Sequence, residues 1–179
     1  MSPKLKDYES LTESNFNKHE SGKIRAGVRW LIKPEGSGTE RHETFQFSTV
    51  EDVKECVKQM VNEPTMLMVE VVTYLASYKH MTILSRWTKP NADLQVKFNE
   101  YPASHPDKLN NDSTRFNKWL GEAELPLSFK AFFGEKENTD VVWMRFHENY
   151  GGRLSRPTHH EFETKEEAIE FLNYKSYQN

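Results

Sequence analysis

Seven of the 179 residues are histidines, and three of them, His147, His159 and His160, lie near Glu148 and Glu161 on what reads as one hairpin. Imidazole and carboxylate are the donors that a divalent cation takes. Successive residues of a strand point to opposite faces, so His159 and His160 cannot both enter one site. The chain also has no C-x-x-C, H-E-x-x-H or H-x3-H spacing. No metal site and no cofactor are therefore expected. The chain has no G-x-G-x-x-G, phosphate-binding loop or G-x-S-x-G elbow either, and Gly36, Gly38, Gly151 and Gly152 read as hairpin turns. The acidic pair Glu166-Glu167 opens a helix, where carboxylates complement the backbone dipole. No catalytic residue is assigned on these grounds.

Recognition is a better use of the distinctive side chains. If Val142, Met144 and Phe146 form the core face of a strand, Trp143, Arg145 and His147 share the outer face. Trp and Arg dominate binding hot spots and suit stacking on bases and contact with phosphate. Arg153, Arg156 and His159 follow closely. Arg86, Trp87 and Lys97, with Lys79, Lys89 and Tyr101, form a second basic and aromatic set on a middle hairpin, a pattern that can hold single-stranded nucleic acid.

His42-Glu-Thr44 and His80-Met-Thr82 are paired H-x-T triplets. They resemble the paired motifs of the 2H phosphoesterase family. The resemblance covers six residues, and it implies two histidines that exchange protons with the reacting oxygens while Thr44 and Thr82 hold the phosphate. The order of strands and helices around the triplets departs from the family's two symmetric lobes.

These residues need a scaffold. Ile24–Lys33 and Thr44–Ser48 read as a hairpin across Pro34-Glu-Gly-Ser-Gly38. Thr49 then caps a helix whose Val50, Val53, Val57, Met60 and Val61 form one stripe, with Glu51 and Asp52 in the first turn. Pro64 ends it. The C-terminus repeats the plan with Val141–His147, a turn at Asn149–Gly152, Thr158–Glu163, and a T-x-x-E capping box at Thr164–Glu167 before Ala168, Ile169, Phe171 and Leu172. Aligned as repeats, Trp30 matches Trp143, Phe47 matches Phe162, Val53 matches Ala168 and Val57 matches Leu172. A looser third copy has strands Ile83–Lys89 and Asp93–Tyr101 around Pro90-Asn-Ala92, a polar loop at Pro102–Asn111, and a helix capped by Asp112 or Ser113 that carries Phe116, Trp119 and Leu120 to Gly121. Leu67–Leu75 reads as a central strand. Leu125–Phe133 is expected to place Leu125, Leu127, Phe129, Ala131 and Phe133 on one face. The sum is an α+β fold of repeated β-β-α units, with about eight mostly antiparallel strands and three helices packed on the sheet. Residues 1–22 read as a flexible polar arm with Leu5, Leu11 and Phe16 as isolated apolar points. Residues 23–179 read as a single compact domain with units over 23–64, 65–121 and 122–179.

Composition narrows the role. Aromatic residues make up 12% of the chain, which is too rich for a disordered chain. Lys+Arg total 24 against 27 Asp+Glu, a net charge of −3, so bulk charge does not hold a nucleic acid. No run approaches a membrane span, and the N-terminus has no apolar core of a signal peptide. The single Cys56 excludes an intrachain disulfide, reads as a packed side chain, and fits a reducing cytoplasmic compartment. The expectation is a non-enzymatic binding protein. It would be a small regulator or inhibitor of a larger protein or nucleoprotein complex, with no membrane partner, and its size fits a phage or mobile element. Direct nucleic-acid binding is the second reading and phosphoester cleavage the third.

Overall fold

The computed structural model describes residues 7–98, 118–135 and 139–178. It is α+β, with two antiparallel sheets and two α-helices among these residues. The chain divides into two compact units, residues 1–89 and 90–179.

In the first unit, β1 (Asn17–Lys18) and β3 (Glu40–Thr44) pair with opposite ends of β2 (Ile24–Ile32). β4 (Met66–Tyr74) pairs with β2, and β5 (Met81–Thr88) pairs with β4. Helix α1 (Val50–Val61) follows its cap as expected, with the Asp52 N–H donating to Thr49 Oγ1 at 3.2 Å. Its buried Val50, Val53 and Val57 meet Ile24, Ala26, Val28, Val69 and Val71. The arm is not loose over its described part. Leu11 and Phe16 are buried in that same core, and Lys54 Nζ donates to the Glu9 carbonyl at 2.9 Å. Leu5 lies outside the described residues.

β4 carries two polar residues in an apolar strand, and both are satisfied. Thr73 donates to the Arg25 carbonyl at 2.8 Å and accepts from the Asn17 N–H at 2.9 Å, which pins β1. Glu70, 4% exposed, lies on the face away from α1, between Arg29 and Arg86. Arg86 reaches Glu70 Oε2 through Nε and Nη2, at 3.1 and 2.8 Å, and Arg29 Nη2 reaches Oε1 at 3.1 Å. Charge-assisted bonds of this kind offset the cost of burying a carboxylate.

In the second unit, β6 (Gln95–Phe98), β7 (Lys118–Leu125), β8 (Phe129–Glu135) and β9 (Val142–Tyr150) pair in succession. β10 (Arg153–Leu154) and β11 (Thr158–Phe162) pair with different parts of β9. Helix α2 (Lys165–Ser176) buries Ala168 and Leu172 against Phe129, Ala131, Phe133, Val142, Met144 and Phe146. Thr164 Oγ1 accepts from the Glu167 N–H at 3.2 Å. The Glu167 carboxylate takes the Glu163 N–H at 3.0 Å, so the reciprocal half of the capping box falls one residue earlier than the motif implies.

Four sequence expectations are corrected. The partner of β2 is Glu40–Thr44 and not Thr44–Ser48. It is an exposed edge strand, where charged side chains are tolerated and discourage further pairing. Among the described residues, the strands expected at Ile83–Lys89 and Asp93–Tyr101 do not pair as a middle hairpin, because β5 pairs with β4 and β6 with β7 in separate sheets; Tyr101 lies outside the described residues. Trp119 and Leu120 lie in a strand, not a helix. Gly121 is no helix terminus: it has φ 154° and faces the backbone of Lys97 and Phe98, where any Cβ would collide. Asp112, Ser113, Phe116 and the loop Pro102–Asn111 lie outside the described residues. Finally, Leu125–Phe133 is broken by a turn, with Ser128 N–H donating to the Leu125 carbonyl at 3.1 Å.

Candidate functional site

Strand parity in the second sheet settles the orientation of the C-terminal set. Val142, Met144 and Phe146 are buried against α2. Trp143, Arg145 and His147 therefore share the opposite, helix-free face, each partly exposed. The ladders extend this face into one row across five strands. His159 of β11 lies opposite Arg145 of β9, which lies opposite Phe132 of β8. Phe132 lies opposite Glu122 of β7, and Glu122 opposite Lys97 of β6. A flanking row runs through His147, Lys130, Glu124 and Gln95. On the other side Trp143 faces Glu161.

Phe132 organises the centre. The Arg145 guanidinium stacks over its ring at 4.8 Å and Lys130 Nζ at 5.5 Å, both in cation–π range. The His147 ring meets it edge-on at 5.9 Å, and His147 Nδ1 is 2.8 Å from the Ser155 carbonyl. This fixes the connection after β10 against the face. Arg153 and Arg156 are exposed near its end. Phe132, Lys130 and Glu122 were not singled out from sequence. The signal available was their alternation with buried residues on strands flanking Arg145.

The other expected set is divided between elements. Arg86 turns to the helix-free face of the first sheet and binds Glu70, whereas Trp87 packs against the core beside α1. Lys97 belongs to the second unit. The alignment of Trp30 with Trp143 also pairs unlike positions. Trp30 packs against the α1 core and stacks on His42 at 5.6 Å, while Trp143 is on the face away from α2. A one-residue offset in a strand exchanges its faces.

The two H-x-T triplets do not meet. His42 and Thr44 are on β3, and Thr82 is on β5, the far edge of the order β3-β2-β4-β5. Three strand spacings put them at least about 14 Å apart. Among the described residues no group of three or more His, Cys, Asp or Glu is placed to hold a metal. Burial pushes the Cys56 thiol up, away from the reactive thiolate. No helix among the described residues is long and apolar enough to cross a membrane.

His160 points the other way from His159, into the α2 side. Its ring lies 4.7 Å from that of Phe171, with Phe146 and Phe162 around it, and Nε2 is 2.9 Å from Thr158 Oγ1. Burial lowers its pKa from the ordinary histidine value, and the charges of Lys175 and His159 add to this. The neutral ring is the form that the fold favours, so its contribution is complete above about pH 6.5 and declines as pH falls toward the depressed native value. Urea unfolding followed from pH 7.5 to 5 is expected to show stability falling with pH, with a shallower slope in His160→Phe. Equal slopes would contradict the assignment.

Comparison with known proteins returned no matching family model, no matching curated protein and no matching solved structure.

Proposed function

We propose that the protein works by contact, as a small regulator or inhibitor that binds a larger protein, alone or within a nucleoprotein complex, through the helix-free face of its second sheet. The row His159, Arg145, Phe132, Glu122 and Lys97, with Trp143 and His147 beside it, carries this reading. It gathers the residue types that anchor protein interfaces on a rigid sheet. Along the paired rows Arg145, Lys97 and Lys130 stand against Glu122, Glu124 and Glu161. Nucleic-acid affinity comes largely from clustered cations that displace phosphate counterions, and these mixed rows offer little of that. They suit a protein surface of complementary pattern.

Residues 23–64 and 122–179 are further proposed to be divergent β-β-α copies. Thr49 and Thr164 make the same cap, and Val53 with Val57 occupies the positions of Ala168 with Leu172. The half-buried lone Cys56 supports a reducing, cytoplasmic setting.

Trp143→Ala and Arg145→Ala are each expected to weaken partner binding by roughly 2 kcal/mol, about 30-fold, with little change in thermal midpoint. Calorimetric titration with a partner captured by the wild type checks this. Full affinity in both variants would remove this face as the site.

A further inference from the structure

We infer that a cleft on the α2 side of the second sheet binds a small zwitterion of the amino-acid class, with its carboxylate at Lys175 and its ammonium at Glu148. The cleft has a volume of about 240 Å³ and is lined by Phe146, Glu148, Ser155, Thr158, His160 and Lys175. Phe146 and Glu148 lie on the face of β9 that meets α2, and Thr158 pairs with Phe146 from β11. Lys175 is in the last turn of α2. Trp143, Arg145 and His147 occupy the opposite face of β9, so this inference stands apart from the protein-binding reading. The volume is below the range of about 300–1,000 Å³ that takes drug-sized molecules, which restricts the occupant to a small metabolite.

The lining divides by chemistry. Phe146 is a buried apolar floor, with the Phe171 ring 5.9 Å from its own. Half-buried Lys175 places Nζ over the Phe171 ring at 5.5 Å, and among the described residues its ammonium has no hydrogen bond and no ion pair. Glu148 accepts from the Tyr150 hydroxyl and makes no ion pair among the described residues either. Two opposite charges thus line one cavity without reaching each other. A lone anion at Lys175 would share the cavity with the Glu148 carboxylate, and a lone cation at Glu148 would share it with the Lys175 ammonium. A molecule that carries both charges is complementary to both residues. Thr158 Oγ1 and His160 Nε2 are 2.9 Å apart. A hydroxyl and a neutral imidazole hold two protons and spend one on their mutual bond, so in either tautomer one remains to donate to a carboxylate. Ser155 Oγ accepts from the Glu148 N–H at 2.9 Å and donates to the Arg156 carbonyl at 3.1 Å, which fixes the rim before a ligand arrives.

The test titrates each free L-amino acid, up to its solubility, into the 179-residue chain and follows the His160 ring resonances by NMR. Saturable movement of those signals is expected with at least one amino acid. The acid and the amine left by removing the ammonium or the carboxylate of that amino acid are each expected to bind at least about 10-fold more weakly, a comparison made on the wild type alone. Lys175→Met and Glu148→Gln are expected to weaken binding of the amino acid by a similar factor, with the thermal midpoint retained. No saturable movement with any amino acid would overturn the inference. Unchanged binding in Lys175→Met would overturn it by placing the ligand elsewhere. Equal binding of the acid that lacks the ammonium, together with unchanged binding in Glu148→Gln, would overturn the zwitterion and leave an anion site.

Discussion

Glu70→Ala is expected to lower the free energy of unfolding by about 3–4 kcal/mol, because it strips the carboxylate from a buried ion cluster. Glu70 is 4% exposed and takes three charge-assisted bonds, two from Arg86 and one from Arg29. The side chain of Arg86 is only 19% exposed and that of Arg29 is 34% exposed. Water compensates poorly for the lost partner at the first and in part at the second. The effect should therefore track Arg86 more than Arg29, with Arg86→Met costing more than Arg29→Met. Replacing all three residues by apolar ones of similar volume should recover most of the loss, since an apolar set carries no desolvation penalty. Denaturant unfolding of the single, double and triple variants measures this directly. A Glu70→Ala variant within about 0.5 kcal/mol of wild type would show that the cluster is solvated and contributes little.

Gly121→Ala is the second large effect, expected at roughly 3 kcal/mol. The position lies in the middle of β7, and a Cβ there would run into the backbone of Lys97 and Phe98 on β6. Backbone cannot swing aside as the end of a side chain can, so β6 must separate from β7. Val96 and Phe98 pack against the core of the second unit from β6, and that packing would be lost with it. Lys97, at the end of the proposed binding row, would be displaced as well. Amide exchange should accelerate across Gln95–Phe98 and Lys118–Leu125 while α1 and β4 keep their protection. A variant with wild-type exchange in β6 would contradict the close approach.

Much of this was legible in the sequence where local chemistry and burial agree. Both helices, with Thr49 and Thr164 as caps, follow from capping and periodicity. The outer face of β9 follows from the alternation of Val142, Met144 and Phe146. The misses have physical causes. Glu40–Thr44 looks like loop because all five residues are polar, yet an edge strand needs backbone pairing more than apolar side chains. Phe116, Trp119 and Leu120 have helical spacing, but a sheet register with a bulge between Trp119 and Gly121 takes the second and third of them. Leu127 fitted a period-2 pattern, and the turn after Pro126 depended on a backbone choice that leucine disfavours. Glu70 was visible as a charge inside a central strand, but its partners lie 41 and 16 residues away. Only the sheet order brings Arg29 and Arg86 beside it.

The most direct test of the central claim is affinity capture from native lysate on the tagged 179-residue chain, with one half treated with nuclease, read by quantitative mass spectrometry. The expected result is a defined protein partner that is retained equally in both halves and lost when Trp143→Ala is the bait. A partner set that disappears with nuclease would contradict protein recognition by this face and point to binding through nucleic acid.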